Sequence, residues 1–202
     1  MAEPMSETRR TYDAITAEYA RSKSSVDPHV RDDVRALAVT VPPGSLVADV
    51  GCGPGQEMTI LREHGFRVVG FDLSLGQLRT ARLPGVAQAD MRHLPLRVGV
   101  LDAVWCQAAL LHIARREVPV VLAEFARVVR VGGALFLSVA EGDGEQWETA
   151  DRYGSTHRRW YTYHRLPDLV TLLDDAGFEV GRLCRVAGHR DWLCLHCRRV
   201  AR

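Results

Sequence analysis

The stretch Val47-Ala48-Asp49-Val50-Gly51-Cys52-Gly53-Pro54-Gly55 decides how the rest of the chain is read. Residues 45–50 are a short apolar, β-branched run bounded by turn formers, the pattern of a buried strand. The glycines after it make a turn where the backbone can come close to a ligand at the carboxyl edge of a sheet. Residues 58–64 then read as the helix leaving that turn. A glycine-rich turn alone fits many nucleotide sites. The dinucleotide fingerprint, however, needs glycine at its first, third and sixth places, and counted from Gly51 the sixth place is Gln56, with the third glycine early at Gly55. Asp49, at the strand end, would repel a pyrophosphate and attract an ammonium group. The ligand beside it is expected to carry positive charge.

Working outward, Val68-Val69-Gly70-Phe71-Asp72 puts an acid at the end of a second strand over 68–73, at the distance past the glycine turn where such folds recognise a ribose. A carboxylate there can accept hydrogen bonds from both ribose hydroxyls. Downstream, a helix is expected over 75–81, strands over 85–89 and 101–106, and a long helix over 116–129 closed by Gly132-Gly133. A strand over 134–140, a polar loop, a helix over 167–176 ended by Gly177, and strands over 178–184 and 192–198 complete the chain. Upstream, residues 1–7 are polar and expected to fray, whereas Tyr12, Ile15 and Tyr19 recur at the spacing of a short helix. A second helix starts at Asp27-Pro28, runs through Val41, and stops at Pro42-Pro43-Gly44. Strands alternating with helices imply a mainly parallel sheet covered on both faces, because a parallel crossover needs a helix-sized connection.

Composition fits one soluble α/β domain: 202 residues, 47% apolar and 25% charged, with a formal net charge of +1. Lys23 is the only lysine, and the dense basic tail Arg198, Arg199 and Arg202 reads as a solvated end. A near-neutral chain argues against a nucleic-acid partner, which needs a basic stripe to neutralise phosphates. Five scattered cysteines suggest a reducing compartment, and neither a signal pattern nor an apolar run of membrane-spanning length is present. The expectation is a cytoplasmic protein with no membrane partner.

The ordered motifs from Tyr12 to Arg198 resemble those of the class I S-adenosylmethionine-dependent methyltransferases, in particular their small-molecule subgroup. Asp49, Gly51, Gly53 and Gly55 match that family's first motif, and Asp72 its ribose acid. Ala89-Asp90-Met91 with Leu94-Pro95-Leu96 is similar to its adenine-holding segment, and Leu101-Asp102-Ala103-Val104 to its fourth strand. Leu110-Leu111-His112-Ile113, Arg127-Val128-Val129 and Gly132-Gly133 are similar to further family patterns. The resemblance implies a Rossmann-like, doubly wound, mainly parallel sheet of seven strands with a reversed edge strand and helices on both faces. It also implies one domain: a helical lid over 1–42, a cofactor-binding core over 45–140 and an acceptor side over 141–202. The cofactor would be S-adenosylmethionine, held by Tyr12, Tyr19, Asp49, Gly51, Cys52, Gly53, Asp72, Leu73, Asp90, Met91 and Gln107. Its methyl group would go to an oxygen or nitrogen of a small-molecule acceptor.

On the acceptor side, His112 is a candidate general base, and Glu141, Trp160 and Tyr163 are candidate acceptor contacts. Arg158 and Arg159 would suit an acidic acceptor. Each has a plainer reading: Asp72 as a helix cap, Asp90 as a loop acid, His112 as a histidine bonded to a loop, and the tyrosines as packing. Cys194-Leu195-His196-Cys197 has metal-like spacing, but residues three apart on a strand face opposite ways, so no metal is assigned. The rival readings are a non-catalytic cofactor-binding protein and a nicotinamide oxidoreductase. Cys106-Gln107-Ala108-Ala109 lacks the Pro-Pro-aromatic signature used to grip a flipped base. The chain is expected to act as a monomer or homodimer.

Overall fold

In the computed structural model, which describes residues 4–22, 27–154 and 156–201, the glycine turn lies at the middle of a seven-stranded sheet. Residues 1–3 of the opening segment, Lys23 and Arg202 fall outside the described residues. Strands β1 (Leu46–Val50), β2 (Arg67–Asp72), β3 (Val86–Gln88), β4 (Leu101–Gln107) and β5 (Val129–Ala140) run parallel to their neighbours. Two further strands of this sheet, β8 (Phe178–Val186) and β9 (Trp192–Arg199), form an antiparallel hairpin at one edge. The order is β3-β2-β1-β4-β5-β9-β8, with reversed β9 lying between β5 and β8. Strand order changes direction between β1 and β4, so their carboxyl ends flank the crevice where open α/β sheets take ligands.

Side-chain alternation builds a core on each face. Val47, Trp105 and Phe136 point one way, beneath α3 (Pro28–Thr40), α4 (Gln56–Glu63) and α5 (Leu75–Ala81). Ala48, Val104, Leu135 and Leu137 point the other way, beneath α6 (Val118–Val128) and α7 (Leu166–Asp175). Cys194 belongs to the first core and Cys197 to the second, so the two thiols lie on opposite faces as strand geometry requires. Among the described residues, no helix is long and apolar enough to cross a membrane.

Four features depart from the sequence reading. The N-terminal region forms two helices, α1 (Pro4–Ala14) and α2 (Thr16–Ser22), so residues 4–7 are helical rather than frayed. A tertiary ion pair explains this: Glu7 meets Arg158 at 2.6 Å. Helix α6 begins at Val118, after a 3-10 turn at Arg115–Glu117, and stops at Val128. Gly132-Gly133 therefore does not close that helix but sits in β5, where the register against β4 shifts between Leu101 and Ala103. A Cβ on Gly133 would come within 2.7 Å of the Asp102 carbonyl oxygen, so that approach needs glycine. Finally, the expected loop after β5 contains an antiparallel pair, β6 (Glu145–Thr149) and β7 (Arg158–Thr162).

Phe125 is fully buried where α6 meets the sheet. Phe125→Ala should lower the unfolding free energy by about 3–5 kcal/mol in urea titration, the usual cost of an aromatic-sized cavity.

Candidate active site

The turn after β1 owes its shape to backbone that side chains resist. Gly51, Gly53 and Gly55 have φ of 81°, 50° and 86°. A Cβ on Gly51 would lie 2.2 Å from Cβ of Ala109, so the turn and the β4 exit touch directly. The amides of Gly51 and Cys52 donate to the Phe71 carbonyl at 2.7 and 3.1 Å, tying the turn to β2. The Gly53 amide donates to Asp72 Oδ2 at 2.8 Å, and the Ser74 amide donates to Asp72 Oδ1 at 2.7 Å. Asp72 is thus fixed at the cleft wall, and burial is the main influence holding its pKa above the usual carboxylate value.

Asp49 is 1% exposed, and its Oδ2 has no hydrogen-bond partner. Burial first, then the charges of Glu57 and Asp72, push its pKa well above the ordinary value. Gln107 Oε1 is a second buried, unpartnered acceptor. Trp105 pairs with Asp49 across β1 and β4, and Gln107 lies two residues beyond Trp105, so both acceptors share a face on adjacent strands. Two unmet acceptors at one strand edge complement an N–H donor with positive charge.

The cleft between these strand ends holds about 750 Å³ of empty space, open mouth included. Tyr12, Tyr19, Gly51, Gly53, Asp72, Leu73, Asp90, Met91, Gln107 and His112 all line it. Asp90 is already held by Arg92 at 2.7 Å, and Arg92 also reaches Glu117 at 2.6 Å. Despite its burial, hydrogen bonding to Arg92 keeps the Asp90 carboxyl below its usual pKa. Helix α1 roofs the cleft. Asp13 anchors it there by accepting from Ser74 Oγ at 2.6 Å and the Gly76 amide at 2.9 Å.

Asp49 is itself not among the residues that line this cleft, and other expected residues are also placed elsewhere. The Cys52 side chain points into the core beside Met58 and Gly70 rather than into the cleft, and burial raises its thiol pKa. Glu141 pairs with Arg185 at 2.9 Å on an exposed rim. Trp160 directs its indole N–H to Glu145 and Thr162, and Tyr163 binds Glu148, so neither lines the cleft. For Trp160 the physical reason is strand alternation in β7: Arg159 and Tyr161 face inward, whereas Trp160 stacks edge-on against Trp147 across the β6–β7 pair.

His112 is enclosed from both sides. Nδ1 lies 2.6 Å from the Trp160 carbonyl, which can only accept, so Nδ1 carries the proton. Nε2 therefore accepts from the Tyr12 hydroxyl at 2.8 Å. Burial, then the positive charge of Arg159, push the imidazole pKa down to about 3. The lone pair that a general base would use is thus bonded to the Tyr12 hydroxyl in this structure. Sequence reasoning missed Asp13, Met5 and Thr8 of α1, whose roles depend on contacts far along the chain.

The methyltransferase-domain family matches residues 48–137, which contain the glycine turn and the exits of β2 and β4. The malonyl-[acyl-carrier protein] O-methyltransferase of Pseudescherichia vulneris is 33% identical over 153 residues, 68% of this chain and 60% of that protein. This chain spans 44% to 60% of the length of the first such relatives. Burkholderia thailandensis 1,6-didemethyltoxoflavin-N1-methyltransferase, solved with its substrate and S-adenosylhomocysteine, superposes with a TM-score of 0.79 at 21% identity, covering 100% of this chain and 92% of that one. Magnesium protoporphyrin IX methyltransferase of Synechocystis PCC 6803, solved with S-adenosylmethionine, gives 0.79 at 20% identity with 98% coverage of both chains.

The state of His112 makes stability depend on pH. The unfolded histidine takes a proton near its ordinary value of 6.5 while the folded one resists to about 3, so stability present above pH 6.5 is lost as pH falls toward 3. His164, held down to about 4 by burial, acts in the same direction. In urea titrations between pH 4.5 and 7.5, set around these values, His112→Gln should flatten the acid limb; an unchanged slope would refute the buried neutral state. Cleft, sheet order and the methyltransferase-domain match over residues 48–137 together make this chain similar to the class I S-adenosylmethionine-dependent methyltransferases.

Proposed function

We propose that this chain binds S-adenosylmethionine and transfers its methyl group to a small-molecule acceptor. The observation that carries this reading is the pair of buried acids around the glycine turn: Asp72, fixed at the cleft wall, and Asp49, with an oxygen that has no partner. Asp72 suits the ribose hydroxyls. Asp49 and Gln107 suit the ammonium of an amino-acid tail, and Tyr12 and Tyr19 close over the donor from α1 and α2. Asp90 and Met91 line the end of the cleft that fits an adenine. Asp49 and the missing sixth-place glycine disfavour a diphosphate, and hence a nicotinamide cofactor.

When bound, the donor supplies a methyl group already activated by its positive sulfur, so no enzyme nucleophile is needed. The chain's task is to hold donor and acceptor at about 3–3.5 Å in line and to exclude water. Helix α1 provides the exclusion. Its inward residues Thr8 and Thr11 seal against β7 through Trp160 N donating to Thr8 Oγ1 at 2.9 Å and Thr11 Oγ1 donating to the Arg158 carbonyl at 2.6 Å. The acceptor's proton, where it has one, is lost to solvent before α1 seals the site, because His112 Nε2 is occupied by Tyr12 once α1 is in place. The same reading places the protein in the cytoplasm, as a monomer or homodimer without a nucleic-acid partner.

Calorimetry with S-adenosylhomocysteine tests the donor site. Asp72→Ala should weaken binding more than about tenfold, the scale expected when a charge-assisted pair of hydrogen bonds is lost; equal affinity would refute the ribose assignment. Incubation of the chain with methyl-labelled S-adenosylmethionine and a small-molecule cell extract should label a low-mass product. Donor binding without any labelled product would favour a binding protein instead.

A further inference from the structure

Beneath α1, on the inner face of β7, lies a cation without an acidic partner. Arg159 is 8% exposed, yet among the described residues no carboxylate pairs with it. Its Nε–H has no acceptor. Its Nη1 donates to the Tyr12 hydroxyl at 3.1 Å, and its guanidinium carbon lies 5.5, 5.2 and 5.4 Å from the ring centres of Tyr12, Tyr153 and Tyr161. Ring faces offset part of the cost of taking a guanidinium out of water, but they leave its planar fork of donors unmet. Neighbouring charges do not cancel it, because Glu148 is committed to Arg190 at 2.7 Å and to the Tyr163 hydroxyl. The cluster therefore carries one surplus positive charge.

The cover over this cation is polar. The buried residues of α1 are Thr8 and Thr11, and α1 meets β7 through the two threonine hydrogen bonds, the Glu7–Arg158 ion pair and the contact of Tyr12 with Arg159 itself. Water can replace such contacts at small net cost, so α1 can lift where an apolar seal could not. Tyr12 belongs both to the donor cleft and to the cage around Arg159, which puts the guanidinium immediately behind the cleft wall. We propose that Arg159 anchors a carboxylate of the methyl acceptor when α1 lifts. A planar fork matches a carboxylate in two parallel hydrogen bonds, and a single surplus charge matches a monoanion better than a phosphate, which carries nearly two. This inference rests on the proposed methyl transfer.

The test uses the full chain saturated with S-adenosylhomocysteine, in thermal-shift titrations at fixed ionic strength. The probes are hexanoate, benzoate and salicylate, each compared with its neutral amide, together with inorganic phosphate. At least one carboxylate should stabilise the wild type where its amide does not, and Arg159→Gln, compared at saturating S-adenosylhomocysteine, should weaken that effect more than tenfold. If Arg159→Gln does not fold, the comparison in the wild type still decides. No carboxylate outperforming its amide, phosphate outperforming every carboxylate, or an undiminished response in Arg159→Gln each overturns the anchor. Failure of S-adenosylhomocysteine itself to bind contradicts the donor reading instead, so the two failures are told apart.

Discussion

A carboxylate removed from water needs a proton or a cation, and Asp49 sits at the centre of this fold with one oxygen that no neighbouring group hydrogen-bonds. Nothing in the packing requires an acid there: the residues around it on β1, Val47, Ala48 and Val50, are plain core. Its surroundings make ionisation harder, because Glu57 and Asp72 add negative charge to a buried position. Such an arrangement is costly in the unliganded chain and becomes favourable once a cationic ligand arrives. The glycine turn, the exit of β4 and the roof formed by α1 are all organised around the same crevice.

The parts of the molecule set by local sequence were legible before any coordinates. Glycine at 51, 53 and 55 was needed because the turn's φ angles are positive and Ala109 leaves no room for a Cβ at 51. Asp72 could be placed because it ends an apolar β-branched run at the correct distance past the turn. The alternation of strands and helices gave the doubly wound order, since chain connectivity and handedness leave few other solutions.

What could not be read depends on partners distant in sequence. The β6–β7 pair looked like a loop because Glu145–Thr149 and Arg158–Thr162 are polar, and only their mutual register gives them strand geometry. With the strand missed, its alternation was missed as well, so Trp160 was chosen where Arg159 and Tyr161 face inward, while Tyr163, beyond β7, is drawn off by Glu148. Helix α1 extends to Pro4 because Glu7 finds Arg158 more than a hundred residues away. His112 was correctly placed at the cleft, but its chemistry follows from the Trp160 carbonyl and the Tyr12 hydroxyl, which no local pattern announces. Glu141 ends β5 as expected, yet Arg185 of β8 holds it away from the cleft.

The claim that the fold reserves Asp49 for a cationic donor is tested most directly by carbon-13 NMR of the aspartate side chains at neutral pH, with and without S-adenosylhomocysteine. The account predicts an Asp49 carboxyl that titrates well above the ordinary aspartate value in the free chain, owing to burial and the nearby acids, and that becomes ionised when the ligand's ammonium is bound. An Asp49 signal whose titration is the same in both states would contradict it.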